Sequence, residues 1–414
     1  MSCRVEFRRE TLPPLPALER QWRHLEATGN PSFFVSWHWI GTLLTAIPPT
    51  SRPKLLRGRA NGETVSLALL GSNEIRRRRG LVRSRSLFLN ETGNPHFDSL
   101  TIEHNGILAA AKWDRDIWDE LFAWFAGLHE EADELYVGGS LRRLPKTTLG
   151  RWGLGCQETC LPSYSVDLYR LRQSEGELHP VLSANARQQL RRALRHFEGF
   201  GTMRLTEATS IAEALNFFTS MKEFHRASWD RRGRQHSFAG EFFEPFHRLL
   251  IQRSFAEGAA QLLRASAGDR VLGYLYNFRL GNRVYAYQSG FDDSDRRERP
   301  GVVSHFLAIR HAFRSGAKVY DFMAGRNRLK ESFATRCEPM FWQVVQQPRL
   351  ASFGTPRPTA EARPGAEPRL RSARPTPPLE CIVARGGEIG LARQSTNLYR
   401  GNVSPPPPLI AASS

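Results

Sequence analysis

The segment RRERPGVVSH, residues 296–305, sets Arg296, Arg297 and Arg299 directly before a Pro-Gly pair able to open a helix. Such a loop can hold an anion, because the first N–H groups of a helix lack intrahelical acceptors and the helix dipole is positive at that end. Pro300 costs nothing there, since its missing N–H is one of those unpaired donors. An ordinary Pro-Gly turn flanked by solvated arginines accounts for the same residues without a ligand. Asp321 lies in the apolar strand VYDFM, where an unpaired charge is costly to bury. It is either a structural carboxylate paired with an arginine such as Arg326, or a general base. His225 and Trp229, in FHRASWDRRG, stand four residues apart at the end of a helix and share a face. With Arg231 and Arg232 beside them they suit a sugar or nucleotide-linked acceptor; a structural histidine is the alternative. Lys330, in NRLKESF, suits a donor phosphate, an acidic acceptor or a solvated helix position. No second ligand stands at convincing spacing around His225, and His236 is isolated, so no metal site is expected.

These residues need elements to position them. Leu18, Trp22 and Leu25 are spaced for one helix face over Ala17–Leu25, and Trp37–Leu44 reads as a second helix. Val65–Leu70, Ser86–Leu89, Leu100–Ile102 and Glu134–Val137 read as strands, with an amphipathic helix over Trp113–Leu128. In the second half, Ser183 can cap a helix to about Phe197, followed by helices over Ala212–Phe224 and Phe242–Glu257. Gln261–Ala265, Val271–Arg279 and Arg283–Ser289 form an antiparallel meander, separated by Gly268-Asp269 and Gly281-Asn282 turns. A helix from Pro300 to about Phe313, a strand Lys318–Met323, a helix Leu329–Thr335 and a strand Phe341–Val345 complete it. Within the meander Tyr285, Tyr287 and Ser289 alternate with Ala286 and Gln288, so Tyr287 and Gln288 serve one site only if a bulge interrupts the strand. Arg187, Arg191 and Arg195 recur every four residues opposite Leu190, Leu194 and Phe197, a row able to grip phosphate or remain a solvated face. The run Arg76–Arg79 reads as a loop or strand tip.

The chain has 414 residues, 58 Lys+Arg against 41 Asp+Glu, a net charge of +17 and 40% hydrophobic residues. That length suggests two domains, each large enough for its own core. The positive charge favours anionic partners, but only six residues are lysine, and the arginine excess is spread along the chain. A dedicated DNA-binding surface is therefore not expected. Five scattered cysteines without a CxxC pair, no apolar run long enough for a membrane span and a charged N-terminus point to a reduced, cytoplasmic protein. From Ala351 onward 11 of the 26 prolines occur without helical or strand period, so a disordered Pro/Arg-rich tail is expected over residues 351–414.

The passages SANARQQLRRALRHFE, FHRASWDRRG, VLGYLYNFRLGNRVYAYQSGFD, RPGVVSHFLAIRHAF and KVYDFMAGRNRLKESFA, in this order, resemble the acetyltransferase fold of the GNAT superfamily. The resemblance is to its CelD-type members, encoded with bacterial cellulose biosynthesis, and to the FemABX-like transferases. The first half resembles the companion lobe through Trp22, Phe33, Phe34, Trp37 and FLNETGNPHFDSL. The resemblance implies an α/β fold of two tandem GNAT-like lobes, each a mixed, mainly antiparallel sheet flanked by helices, with lobes over 1–170 and 171–350. It implies an acyl-CoA-dependent N- or O-acyltransferase, with acetyl-CoA or another acyl-CoA as co-substrate and a small-molecule or saccharide acceptor. A Fem-like aminoacyltransferase using charged tRNA, or a non-catalytic scaffold of a polysaccharide-synthesis complex, are the alternatives. In simple GNAT enzymes a glycine-rich loop binds the acyl-CoA pyrophosphate; here only Gly301 of those glycines remains. The donor site would consist of Arg296, Arg297, Arg299, Gly301, Val302, Val303 and Ser304. Tyr287 would protonate the leaving thiolate and Asp321 would act as base, while His225, Trp229, Gln288 and Lys330 would bind substrate.

Overall fold

The computed structural model describes residues 4–77, 82–114, 116–172, 182–231 and 237–348. The proline-rich tail, Arg78, Arg79, Arg232 and His236 lie outside the described residues.

The first half runs β1 (Glu6–Glu10), α1 (Leu15–Thr28), α2 (Trp37–Ala46), β2 (Lys54–Ala60), β3 (Glu63–Arg77), β4 (Val82–Leu89), the short β5 (Leu108–Ala109), α3 (Ile117–Gly127), β6 (Glu134–Ser140), α4 (Lys146–Arg151) and β7 (Gly155–Asp167). After α5 (Leu168–Arg172) and α6 (Ala184–Glu198), the same order returns. It continues β8 (Met203–Glu207), α7 (Ile211–Asp230), α8 (Phe243–Ser254), β9 (Ala260–Ala267), β10 (Arg270–Leu280), β11 (Arg283–Phe291), α9 (Pro300–Arg314), β12 (Val319–Ala324), α10 (Arg328–Phe333) and β13 (Arg336–Gln346). Apart from β5, α5 and α6, each element of one half has a counterpart in the other.

Among the described residues twelve strands form one path in the order β1-β2-β3-β4-β6-β13-β7-β12-β11-β10-β9-β8, with β5 on the side of β3. The order reads the same from either edge once the halves are matched, β1 with β8 through β6 with β12. Each half's last strand crosses over: β13 completes the sheet beside β6 of the first half, and β7 beside β12 of the second. The crossing strands pair with each other along the whole length of β13, from Arg336↔Ser165 to Gln346↔Gly155.

All neighbours are antiparallel except one pair in each half. The β4–β6 pair has three rungs, ending at Phe88↔Tyr136, and the β11–β12 pair has three, ending at Tyr285↔Asp321. Beyond them the strands part and leave a wedge in each half.

The core does not respect the halves. Phe33 and Phe34, just before α2, are fully buried against the second half, and Phe33 stacks on Phe278 of β10 with ring centroids 4.1 Å apart. Trp39 of α2 meets Phe246 of α8 edge-on at 4.9 Å. These rings belong to one cluster with Trp22, Phe218, Phe243 and Tyr276. Such a shared aromatic interior makes independent movement of the halves costly, since each ring buries roughly 150–250 Å².

One local reading changes. Leu100–Ile102 is irregular chain rather than a strand, with the Ile102 carbonyl packed against Gly139. The 13-residue β7 is a long strand where the sequence shows no alternation, since both its neighbours are strands and its first eight residues stay largely exposed.

Candidate functional site

The second-half wedge opens between β11 and β12, and α9 begins close to its mouth. Ala286, Tyr287, Gln288 and Ser289 on β11 and Ala324 on β12 are half-exposed, while the paired residues Val284, Tyr285, Tyr320 and Asp321 are buried. The β10–β11 register shifts here: Tyr276 faces Gln288 and Asn277 faces Ala286, so Tyr287 is the extra, bulged residue. Gly290 lets α7 cross the strand, because a Cβ there would lie 2.2 Å from the Met221 carbonyl oxygen.

The anion loop follows β11. Residues Asp293–Glu298 make a 3₁₀ turn, Arg299 adopts a left-handed conformation (φ +62°), and Pro300 is the first helical residue of α9. Gly301, Val303 and Ser304 are buried in its first turn and Val302 is half-buried. The Ser304 hydroxyl donates back to the Pro300 carbonyl at 2.9 Å. Gly301 lies under Phe291, whose ring would be 3.0 Å from a Cβ at that position. Arg297 and Arg299 are exposed, with Arg299 donating to Gln189 of α6. Arg192 of the same helix meets Glu298 at 3.0 Å. Helix α6 thus lies alongside the loop and adds exposed Arg191 and Arg195, while Arg187 turns back to the Leu182 carbonyl. Ser183 caps this helix through Ala186 N–H. The side chain of Arg296 lies outside the described residues.

Asp321 ends the paired part of β12 and is 1% exposed. Its Oδ2 lies 2.5 Å from Arg283 Nη1 and 3.1 Å from His104 Nε2, and its Oδ1 accepts the Met323 N–H at 2.7 Å. Burial alone would push this carboxyl up; the His104 and Arg283 charges and the backbone N–H outweigh burial and hold it below its ordinary value. Its arginine partner is Arg283, one strand away, whereas Arg326 pairs with Glu331 at 2.9 Å. Met323 is left-handed (φ +64°), a conformation costing about 1–3 kcal/mol for such a residue, and Asp321 holds it. Lys330 points inward: its Nζ donates to the carbonyls of Ala324 at 2.6 Å and Met323 at 3.3 Å. Burial lowers its pKa, against the raising effect of Glu103 and Asp321.

Tyr287 turns its ring into the shared aromatic core, and its hydroxyl lies 3.2 Å from His247 Nε2. The other nitrogen of His247 is 3.4 Å from the Tyr276 hydroxyl. Burial drives His247 well below its ordinary value, so the ring is neutral, and drives both phenols well above theirs. His225 Nδ1 lies 2.9 Å from the Ser289 carbonyl oxygen, so that nitrogen donates and clamps α7 to the wedge strand. Its ring stacks on half-buried Trp229 at 5.6 Å. Gln288 Nε2 donates to the Ser237 hydroxyl at 3.1 Å.

The structure therefore brings Asp321, Lys330, Tyr287 and Gln288 to one wedge with the loop at 293–304 beside it, while Trp229 stands behind His225. It adds two residues with no strong mark in the sequence, Glu103 and His104, on a first-half loop three and four residues beyond the conspicuous FLNETGNPHFDSL. Glu103 Oε2 accepts the Ala324 N–H at 2.7 Å, and His104 (φ +53°) reaches Asp321. The available signal was a Glu-His pair before an Asn-Gly turn, which is common in surface loops. Among the described residues no group of three or more His, Cys, Asp or Glu could hold a metal ion, and no helix is long and apolar enough to cross a membrane.

Residues 184–331 match the family model described as an acetyltransferase (GNAT) domain. No curated protein matches the chain in sequence. Among solved structures, FemX superposes with a TM-score of 0.53 at 9% identity, over 84% of this chain and 99% of its own. L-PGS from Bacillus licheniformis gives 0.48 at 10% identity, over 83% and 94%. A tandem GNAT protein from the clavulanic acid biosynthesis pathway gives 0.41 at 14%, over 82% and 98%. The family match runs from α6 to α10, so it takes in the loop at 293–304, the wedge, Asp321 and Lys330 and leaves out Glu103 and His104. Residues 184–331 are thus similar to a GNAT acetyltransferase domain, within an α/β fold like that of FemX.

Proposed function

We propose that the chain is an acyltransferase that takes an acyl group from acyl-CoA and passes it to an amine or hydroxyl of a saccharide or small metabolite. The observation carrying this reading is the parting of β11 from β12 after three rungs, close to the first turn of α9. An acyl-pantetheine arm lies between the parted strands and pairs with the half-exposed edge of β11, while the pyrophosphate meets the free N–H groups in the first turn of α9. Arg297 and Arg299 supply the countercharge, and the exposed arginines of α6 extend it. Acceptor and thioester meet near Ala324 and Gln288, where positioning supplies most of the acceleration.

Asp321 serves this site as a fixed ion-pair centre, since both its oxygens are engaged. The Tyr287 hydroxyl remains protonated at all ordinary pH values and would have to leave His247 to reach a thiolate.

Calorimetric titration of the full chain with acetyl-CoA tests the donor. Micromolar binding is expected, and Arg297→Ala/Gly301→Asp is expected to abolish it, because one arginine countercharge is lost and the new side chain is forced against Phe291 beneath the first turn of α9. Absence of binding to acetyl-CoA and to longer acyl-CoAs overturns the reading. A second reading, transfer from aminoacyl-tRNA, is favoured by exposed Arg191, Arg192 and Arg195 beside the loop. It predicts tRNA affinity that falls steeply with salt.

A further inference from the structure

We propose that Glu103, carried by the first half of the chain, is the general base of the second half's site. This rests on the acyl-transfer reading above and names a catalytic group for it.

Glu103 is 7% exposed and sits against β12 at the wedge. One oxygen, Oε2, accepts the Ala324 N–H at 2.7 Å. Among the described residues no donor is bonded to its other oxygen. Lys330 holds the carbonyl of the same residue, so both polar groups of Ala324 are pinned and the carboxylate has a fixed place on the wedge wall. Asp321 offers no such atom, because His104, Arg283 and Met323 N–H occupy both its oxygens. The Tyr287 hydroxyl is turned to His247. Of the described acidic groups beside the parted strands, Glu103 is the one with an oxygen left to accept a proton.

The surroundings suit that role. Burial raises the Glu103 carboxyl, with Asp321 adding to the rise; Lys330, the Ala324 N–H and His104 oppose it. The remaining titratable neighbour is Tyr287, whose phenol feels the Glu103 charge. A base needs a pKa nearer the working pH than an exposed carboxylate has, and desolvation moves it that way. In the step, Glu103 takes the proton of the attacking O–H or N–H as the new C–O or C–N bond forms. The thioester C–S bond breaks, the thiolate leaves and is protonated from solvent, and Glu103 returns its proton to solvent.

The test uses the full chain, acetyl-CoA as the probe and water as the acceptor when none is added. Wild type, Glu103→Gln and Glu103→Asp are compared for acetyl-CoA affinity by calorimetry and for CoA-thiol release across pH. Wild-type release should fall as pH drops through a limb above about 4.3, the ordinary glutamate value. Glu103→Gln should bind acetyl-CoA within about twofold of wild type, release CoA about 100-fold more slowly and lose the limb; Glu103→Asp should keep a limb. A Gln variant with wild-type rate and limb overturns the assignment while the donor reading stands. A Gln variant that loses donor binding makes Glu103 a structural support of Ala324 and overturns it too, as does a wild type that binds donor yet releases no CoA above buffer. A wild type that binds no acetyl-CoA overturns the donor reading and this inference together.

Discussion

The two halves build the same parted parallel pair and use it in opposite ways. In the first half, Asn105 lies across the gap between β4 and β6: its backbone N–H donates to Gly139 at 2.9 Å and its side chain to Leu89 at 2.9 Å. Asn90 reinforces it, donating to Asn105 Oδ1 at 2.8 Å and to Gly106 at 2.6 Å. Among the described residues no asparagine bridges β11 and β12 in this way, and Ala286–Ser289 and Ala324 there stay half-exposed. The difference follows from the connections. Residues 90–116 separate β4 from α3, long enough to fold back into their own wedge, whereas only residues 292–299 separate β11 from α9. The same loop that closes the first wedge delivers Glu103 and His104 to the second. The first half thus supplies two side chains to the wedge of the second.

The largest expected effect lies at the joint between the copies. Asp321→Ala leaves Arg283 and His104 without their buried partner and releases Met323, and removing one member of a buried pair costs about 3–5 kcal/mol. Urea denaturation at neutral pH should show a loss of that size. Because the Asp321 carboxyl is held below its ordinary value when folded, its contribution is present above the unfolded pKa of about 3.9 and fades as pH falls through the lower, folded one. The difference between wild type and variant should shrink accordingly in acid. An unchanged difference would mean that the charge does not hold the halves together.

Next in size is the plug. Asn105→Ala removes the side-chain bonds to Leu89, Asn90 and Gly106 in a buried setting, so roughly 2–3 kcal/mol of stability should go. Acetyl-CoA should still saturate at one molecule per chain, because α3 presents no loop of arginines to the emptied wedge. A stoichiometry of two would break the asymmetry drawn between the copies.

How far the sequence foretold this depends on whether a residue's neighbours are local. The meander, the Ser183 cap, the Pro300 helix start and the placement of Asp321 on an apolar strand came from periodicity and turn chemistry within a few residues. The Tyr287 bulge was needed to bring Tyr287 and Gln288 together, and the register shift supplies it. What stayed hidden is long-range. Arg283 rather than Arg326 meets Asp321 because β11 and β12 are adjacent in space. The exchange of β7 and β13 leaves no periodic trace, and Glu103 gains its surroundings only from a strand more than 200 residues later.

A smaller effect distinguishes the carboxylates at the two wedges. Glu91 is buried with Oε2 unpartnered among the described residues, and burial together with the Asp98 charge raises it well above its ordinary value. Asp98 itself is raised to about 6 by burial, against the hydrogen bonds it accepts from Thr92 and Gly93. For a raised carboxyl the stability is fully present below the unfolded pKa of about 4.3 and is lost as pH rises toward the folded one. Glu91→Gln should therefore stabilise the protein at neutral pH and leave it unchanged near pH 4. A destabilised variant at neutral pH would show that Glu91 carries a charge the first wedge needs.

The finest distinction concerns Tyr287, the bulged residue of the open wedge. Its hydroxyl can either anchor β11 to the core through His247 or protonate the departing thiolate, and a single hydrogen cannot do both at once. The 3.2 Å contact favours anchoring, and so does the neutral His247 ring, which has one nitrogen to donate and one to accept. Tyr287→Phe should then cost about 1 kcal/mol by thermal or urea unfolding, one net hydrogen bond, while CoA release stays within about twofold of wild type. A fall in release of about 100-fold with little change in stability would reverse the assignment and make the hydroxyl a participant in the chemistry. It would also give the bulge a second meaning, since the extra residue would then exist to free the phenol toward the thioester, with the core contact as its resting position.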